Sequence, residues 1–351
     1  MININPFCVS SFLAFRYIVF PGAKWVDNIG PCYPKVSDED QVAVGSADEI
    51  IATLQKIIQQ IPDISKTGIF LSGGIDSAIL ASFLPRGTKA YTINFAAVSA
   101  AREAEFAKKY ADAYHLDHHV VDVTWQDYLD FEKGLMQNKK APLHAVEVAL
   151  HKAAIQAKAD GIDYILVGNG ADSTFGGMDK LLSRDWSFDD FVERYTFVSP
   201  EDVVVRPVDV RKVFEPYRCG DDIDYIGFLK RVHGLGIIQA FNNGVQTANV
   251  SLVEPFEKMK LKGNLDISRI RAGEPKYLLM EVFRRLYPGL EPPYKVPFVR
   301  PMGEWLADYK GPTSSIFRSD LQISNFAGDQ KYLIYGLDKF LGMLERGELC
   351  P

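Results

Sequence analysis

The chain has little cysteine and no spacing that would put it to use. Cys8, Cys32, Cys219 and Cys350 stand far apart among 351 residues, with no CxxC pair and no close set. That excludes a disulfide framework and offers no zinc cluster, leaving reduced thiols. A block of basic charge is also missing. The 39 basic and 45 acidic residues give a formal net charge of −6, so neither nucleic acid nor an anionic membrane surface is an expected partner. The longest greasy stretch near the start, Phe7 to Phe20, is interrupted by Arg16 and preceded by no basic residue. It suits neither a spanning helix nor a secretory signal, and a cytoplasmic chain is the expectation. Internal repeats and low-complexity tracts are absent as well.

What is present suits a full globular core. Apolar residues make up 47% of the chain and charged residues 24%, at a length that allows one large domain or two. Residues 1–44, with Pro6, Pro21, Gly22, Gly30, Pro31 and Pro34, read as a lead-in of extended segments and turns. A helix is expected next, opened by Ser46 and Glu49 as a capping box and carried by Ile50, Leu54, Ile57, Ile58 and Ile61 at helical spacing. From Thr67 the pattern alternates. Short apolar runs at Gly68 to Leu71, Ala90 to Phe95, His119 to Val123 and Tyr164 to Val167 read as strands, separated by helical stretches around Ile75 to Leu84, Ala100 to Tyr114 and Leu143 to Ala159. Such alternation predicts an α/β fold with a parallel sheet. Beyond Met178 the strand signals fade, so residues 181–351 are expected to be mainly helical, after a nucleotide-binding sheet at 45–180.

The most informative stretch is Gly68-Ile69-Phe70-Leu71-Ser72-Gly73-Gly74-Ile75-Asp76-Ser77. Adjacent glycines let backbone approach a ligand, and two serines with a helix start supply donors for phosphate. A Walker-type Gly-x4-Gly-Lys-Ser/Thr occurs nowhere, so this is a different phosphate cradle. Asp76 within it would repel phosphate unless a cation intervenes, which points to Mg²⁺. A second carboxylate, Asp172, follows another predicted strand in the run Gly168-Asn169-Gly170-Ala171-Asp172-Ser173-Thr174-Phe175-Gly176-Gly177. Ligands of open parallel sheets sit beyond the carboxyl ends of the strands, where both aspartates fall. Asp76 and Asp172 are therefore the expected joint metal ligands.

The first of these motifs resembles the pyrophosphate loop of the ATP pyrophosphatases, and the second is similar to that of the synthetase domain of asparagine synthetase and β-lactam synthetase. Three further stretches agree: Val250 to Phe256, Lys276 to Leu279 leading to Arg284 and Pro288, and Lys295 to Phe298 followed by Pro301 to Leu306. The resemblance spans about residues 45–310 and implies an adenine nucleotide alpha-hydrolase-like (PP-loop) fold. It also implies a reaction in which ATP adenylates a small or carrier-bound carboxylate, pyrophosphate leaves, and an amine displaces AMP. By position, Ser72, Gly73, Gly74 and Ser77 would hold pyrophosphate, and Phe70, Ile93 and Gly168 would line an adenosine pocket. Asp76 and Asp172 would bind Mg²⁺, and Lys295 would be the active-site lysine.

The sequence also departs from that family. Full-length asparagine synthetases begin with a glutaminase domain whose nucleophile is a cysteine right after the initiator methionine, whereas residue 2 here is Ile2. The lead-in resembles the joining region after such a domain, so nitrogen is expected from ammonia, a separate source or a substrate amine. Asn169 stands where asparagine synthetases carry an acidic residue and β-lactam synthetase a tyrosine, and a neutral amide is a poor proton acceptor. Ser173 and Asn94 are further differences, in place of a glutamate and a glycine. Weaker signals are the cluster His115, His118 and His119, the pair His144 and His151, and Cys219 beside Arg218, whose thiol would serve a sulfur-transfer variant of the chemistry. A non-catalytic nucleotide-binding subunit is the third reading.

Overall fold

The computed structural model of the chain describes residues 3–34, 41–98, 103–293 and 300–349. At its centre five parallel strands form one sheet: β2 (Thr67–Phe70), β3 (Lys89–Phe95), β4 (Asp117–Val123), β5 (Tyr164–Leu166) and β8 (Ser251–Val253), in the order β4-β3-β2-β5-β8. A short β1 (Val42–Val44) pairs in parallel with β9 (Met259–Leu261), and β6 (Arg218–Cys219) and β7 (Asp222–Ile223) make a separate antiparallel hairpin.

Strand alternation divides the core. Ile69 and Leu71 pack into one apolar cluster with α2 (Ala47–Gln59), α3 (Ile75–Ala81) and α4 (Glu103–Tyr114), while Phe70 points into another with α6 (Glu147–Ala159). In β5, Leu166 joins the first cluster and Ile165 the second. Successive side chains leave opposite faces of a strand, so a sheet covered by helices on both faces needs apolar residues at every position. The strand order reverses at the β2/β5 junction, because β2 leads outward to β3 and β4 while β5 leads to β8 on the other side. At such a point the loops beyond the strands part and leave a crevice.

Two expectations are corrected. The lead-in is not extended throughout: Pro6–Phe15 forms α1, capped by the Asn5 side chain, which accepts from Phe7 N–H at 3.0 Å, with Pro6 in the first turn. Proline fits there because no intrahelical acceptor awaits its missing N–H. Cys8, Phe12 and Leu13 enter one core while Ala14 and Phe15 enter the aromatic core of the helical half, so α1 is apolar all round and shows no one-sided periodicity. The second correction is β8, which brings a fifth strand to the sheet from beyond residue 178. The second half also carries β6, β7 and β9, and its helices include Phe188–Tyr195, Gly234–Gln246, Tyr277–Leu286 and Gly328–Glu345. Among the described residues no helix is long and apolar enough to cross a membrane.

Where α5 (Trp125–Lys139) meets α6, a buried ion pair forms. Lys139 Nζ donates to Glu147 Oε1 at 2.5 Å, and the Glu147 carboxylate also accepts from His144 N–H and Asn243 Nδ2, each at 2.6 Å. Removing one partner of such a pair strands a charge. Lys139→Met should therefore cost about 3–5 kcal/mol of stability, and Lys139→Met with Glu147→Leu should recover part of it, as read by denaturant unfolding.

Candidate active site

The loop after β2 is tied by its own serines. Ser77 Oγ accepts from Ser72 N–H at 3.0 Å, the two hydroxyls lie 2.9 Å apart, and Gly74 N–H donates to Ser72 Oγ at 3.2 Å. This network holds Ser72, Gly73 and Gly74 against the first turn of α3, whose N-cap, Gly74, contributes no side-chain cap. The loop is thus held in shape by its own hydrogen bonds.

Beyond β5 the second glycine motif turns into α7 (Ala171–Phe175), which carries Asp172. A Cβ built on Gly168 would stand 2.8 Å from Asp76 Cβ and 3.1 Å from Ser77 N. The absence of a side chain at Gly168 therefore lets the two motifs touch. Gly177 has a similar role, since a Cβ there would run into the Asp172 carboxylate and the Lys276 stem.

The two aspartates do converge, and what lies between them is a lysine. Lys276 Nζ is 2.6 Å from Asp76 Oδ2 and 2.7 Å from Asp172 Oδ1. Lys276 is only 6% exposed and occupies the N-cap of Tyr277–Leu286 with φ 53°, in the left-handed region. That helix packs on both α3 and α7, which delivers its N-terminus to the junction of the motifs. Burial by itself pulls the ammonium's pKa down, but the charges of Asp76 and Asp172 outweigh it and leave the pKa raised. Lys276 stays charged, joining the two carboxylates through one cation.

Two more carboxyls stand nearby. Glu254, directly after β8, accepts from Asn169 Nδ2 at 2.8 Å. Its pKa is raised, first by burial, against the opposing hydrogen bonds from Asn169 and Asn242. Glu257 is pushed up to about 7 by burial and by the charge of Glu254, and Gly170 packs against its side chain. Sequence reading passed over Lys276, Glu254 and Glu257 as site residues, although the first two lay inside stretches marked for their resemblance.

Phe70 is buried and Ile93 packs against the same cluster, on neighbouring strands. Lys295 lies outside the described residues. Among the described residues no group of three or more His, Cys, Asp or Glu side chains gathers to hold a metal. On β4, His118 bonds Thr92 at 2.8 Å and His119 pairs with Asp117 at 2.9 Å. His151 is tied to the Gly244 carbonyl at 3.0 Å. Cys219 is exposed on the β6–β7 hairpin, where the Arg218 guanidinium lies over the Phe188 ring.

A five-stranded parallel sheet with helices on both faces, a glycine-rich loop after β2 and two aspartates meeting at its switch point define an α/β protein of the open-sheet kind. Residues 54–230, half of the chain, match the asparagine synthase family. The chain belongs to that family, which supports a ligase-type enzyme that uses ATP. A curated relative, Amidase chry2 of Gibberella zeae (strain ATCC MYA-4620 / CBS 123657 / FGSC 9075 / NRRL 31084 / PH-1), is 26% identical over 168 residues, covering 42% of this chain and 24% of the relative. The chain thus spans about a quarter of the length of that relative.

Proposed function

We propose that this chain is an ATP-dependent, AMP-forming ligase that adenylates a carboxylate and joins it to ammonia or a substrate amine. The observation that carries this reading is the meeting of Asp76, Asp172 and Lys276 at the sheet's switch point. A site of two carboxylates and one cation suits a polyphosphate that arrives with its own counter-ion. Two carboxylate donors fit Mg²⁺, which takes one or two protein carboxylates and completes its shell with phosphate oxygens and water. When bound, the ion would neutralise phosphate charge and so assist departure of pyrophosphate.

The chain's own residues supply the rest. Ser72, Gly73, Gly74 and Ser77 would cradle pyrophosphate, while Phe70, Ile93 and Gly168 are proposed for the adenosine side. Lys276, freed from the aspartates as the phosphates enter, would pair with the oxygens that gain charge when the substrate carboxylate attacks the α-phosphorus. Lys295 is the proposed second cation. In the second half-reaction the amine attacks the acyl carbon, AMP leaves, and the amine's proton needs an acceptor. Asn169 cannot take it, but the carboxylate that Asn169 holds, Glu254, can. That base favours a working enzyme over a binding subunit.

The test is mass-spectrometric detection of nucleotide products from the protein with Mg·ATP, ammonium and a small-metabolite extract. AMP with pyrophosphate, lost in Asp76→Ala, is the expected result. ADP as the product, or AMP undiminished in Asp76→Ala, overturns the reading.

A further inference from the structure

β4 ends the sheet: β3 flanks it on one side, and among the described residues no strand flanks it on the other. Its seven residues, Asp117–Val123, make it longer than the usual strand of about five or six, and they pair with β3 in one unbroken register. Exposed edges are commonly guarded by proline, lysine, a bulge or shortness, because a bare row of N–H and C=O groups is a template for another strand. Here the run contains neither proline nor lysine. Val120 stands at its midpoint, 49% exposed. The two aspartates are engaged within the chain: Asp117 pairs with Lys89 at 3.4 Å and His119 at 2.9 Å, and Asp122 accepts from Asn94 Nδ2 at 2.6 Å.

Two bonds fix which way the backbone of β4 faces. Asp117 N–H donates to Thr88 O and Val123 O accepts from Ala96 N–H, each at 2.9 Å, so both residues turn their main-chain groups toward β3. Alternate residues of a strand turn theirs to opposite sides. Asp117, His119, Val121 and Val123 therefore bond inward, and His118, Val120 and Asp122 direct N–H and C=O outward. That outward set is its own complement in an antiparallel ladder. Val120 meets Val120 of a second copy as a hydrogen-bonded pair, His118 meets the second copy's Asp122 on either side of it, and every outward N–H and C=O of the three residues finds a partner. The side chains agree with this register. Val120 covers Val120 and His118 faces Asp122, while on the other face His119 and Asp117 stand opposite Val121 and Val123, so like charges are nowhere opposed. Ile155, 39% exposed on α6, and Leu129, 41% exposed on α5, add apolar surface on this flank, since α6 packs on β4 and α5 packs on α6.

We propose that β4 is the self-pairing edge of a homodimer, in which two copies join about a two-fold axis at Val120 and each sheet continues antiparallel into the other. A second copy is the partner because a two-fold interface requires one surface that complements itself, and the outward residues of β4 do so in both hydrogen bonding and charge. The edge lies two strands away from β2, whereas Asp76, Asp172 and Lys276 meet at the β2/β5 junction. The proposal therefore stands independently of the ligase reading.

The test is sedimentation equilibrium of the full chain from low to high micromolar concentration, over which a reversible dimer is expected. Val120→Asp and Val120→Lys each set like charges across the axis and should weaken dimerisation about a hundredfold or more. Mixed in equal amounts, with one of them tagged, these two variants should co-purify as a mixed dimer, because residue 120 of one copy meets residue 120 of the other. Recovery in the mixture also shows that both have folded. Val120→Pro removes an outward N–H and no bond to β3, so it should weaken dimerisation as well and serves if a charge at this position disturbs the fold. A chain monomeric over the whole range overturns the proposal, which is the outcome if the edge serves a strand of another protein. A dimer left intact by the Val120 variants, or Val120→Asp and Val120→Lys proteins that melt like the wild type yet fail to pair with each other, overturns it too.

Discussion

Lys276→Met should reduce AMP release by about 10²–10³-fold, the usual loss when one preorganised charge partner is taken from a transition state. The same variant should bind Mg²⁺ where the wild type does not. In the wild type the ammonium holds Asp76 at 2.6 Å and Asp172 at 2.7 Å, so free Mg²⁺ must compete with a cation tethered to the same fold. Without the ammonium, two carboxylates face each other across the place it held. One of them then takes a proton, or a divalent ion takes the ammonium's place. Thermal melts with and without millimolar MgCl2 separate the cases. A Mg²⁺-dependent rise in Tm for Lys276→Met, small or absent in the wild type and lost again when Asp172→Asn is added, is the expected pattern. A variant indifferent to Mg²⁺ would remove the aspartates from the metal assignment, and full AMP release would remove Lys276 from the site.

How far the sequence led depended on whether the physics was local. The cradle at Ser72 to Ser77 could be read because its hydrogen bonds run between residues five or fewer apart. The Ser46 cap was legible for the same reason: Ser46 Oγ accepts from Glu49 N–H at 3.3 Å, and the Glu49 carboxylate reaches back to accept from Gly45 N–H at 2.7 Å. Lys276 was not legible as the partner of Asp76, because the two stand 200 residues apart and meet only once Tyr277–Leu286 has docked on α3 and α7. α1 was lost for a different reason. A helix buried on several sides has no polar face, and its Pro6 reads as a breaker unless the Asn5 cap before it is noticed. β8 is three residues long and becomes a strand by pairing with β5, a tertiary event that no local pattern announces. The replacement at Asn169 looked like lost chemistry until the fold set Glu254, 85 residues on, within 2.8 Å of its amide.

That displaced carboxylate predicts a pH dependence. Glu254→Gln should lower the amide-forming rate by about 10²–10⁴-fold, the range for removing a general base, while leaving adenylation, followed as pyrophosphate exchange into ATP, within a few-fold of wild type. Burial raises the Glu254 pKa above its ordinary value, with Asn169 and Asn242 opposing, so the basic form is present only above that raised pKa. In the wild type the rate should fall as pH drops through it, at a pH higher than an exposed glutamate would give. Glu257, pushed to about 7 partly by the Glu254 charge, titrates with it, so the acid limb belongs to the pair. Stability has the opposite sign. A carboxyl whose folded pKa is raised favours the fold while protonated and loses that contribution as pH rises through the folded pKa. Glu254→Gln, neutral at every pH, should therefore be more stable than wild type at pH 8 and indistinguishable from it near pH 4, by denaturant unfolding. Glu254→Gln with an unchanged acid limb and an unchanged amide-forming rate would return Glu254 to a purely structural partner of Asn169. Loss of the rate without the alkaline gain in stability would show that the carboxyl is ionised at no cost, against the burial from which its role is argued.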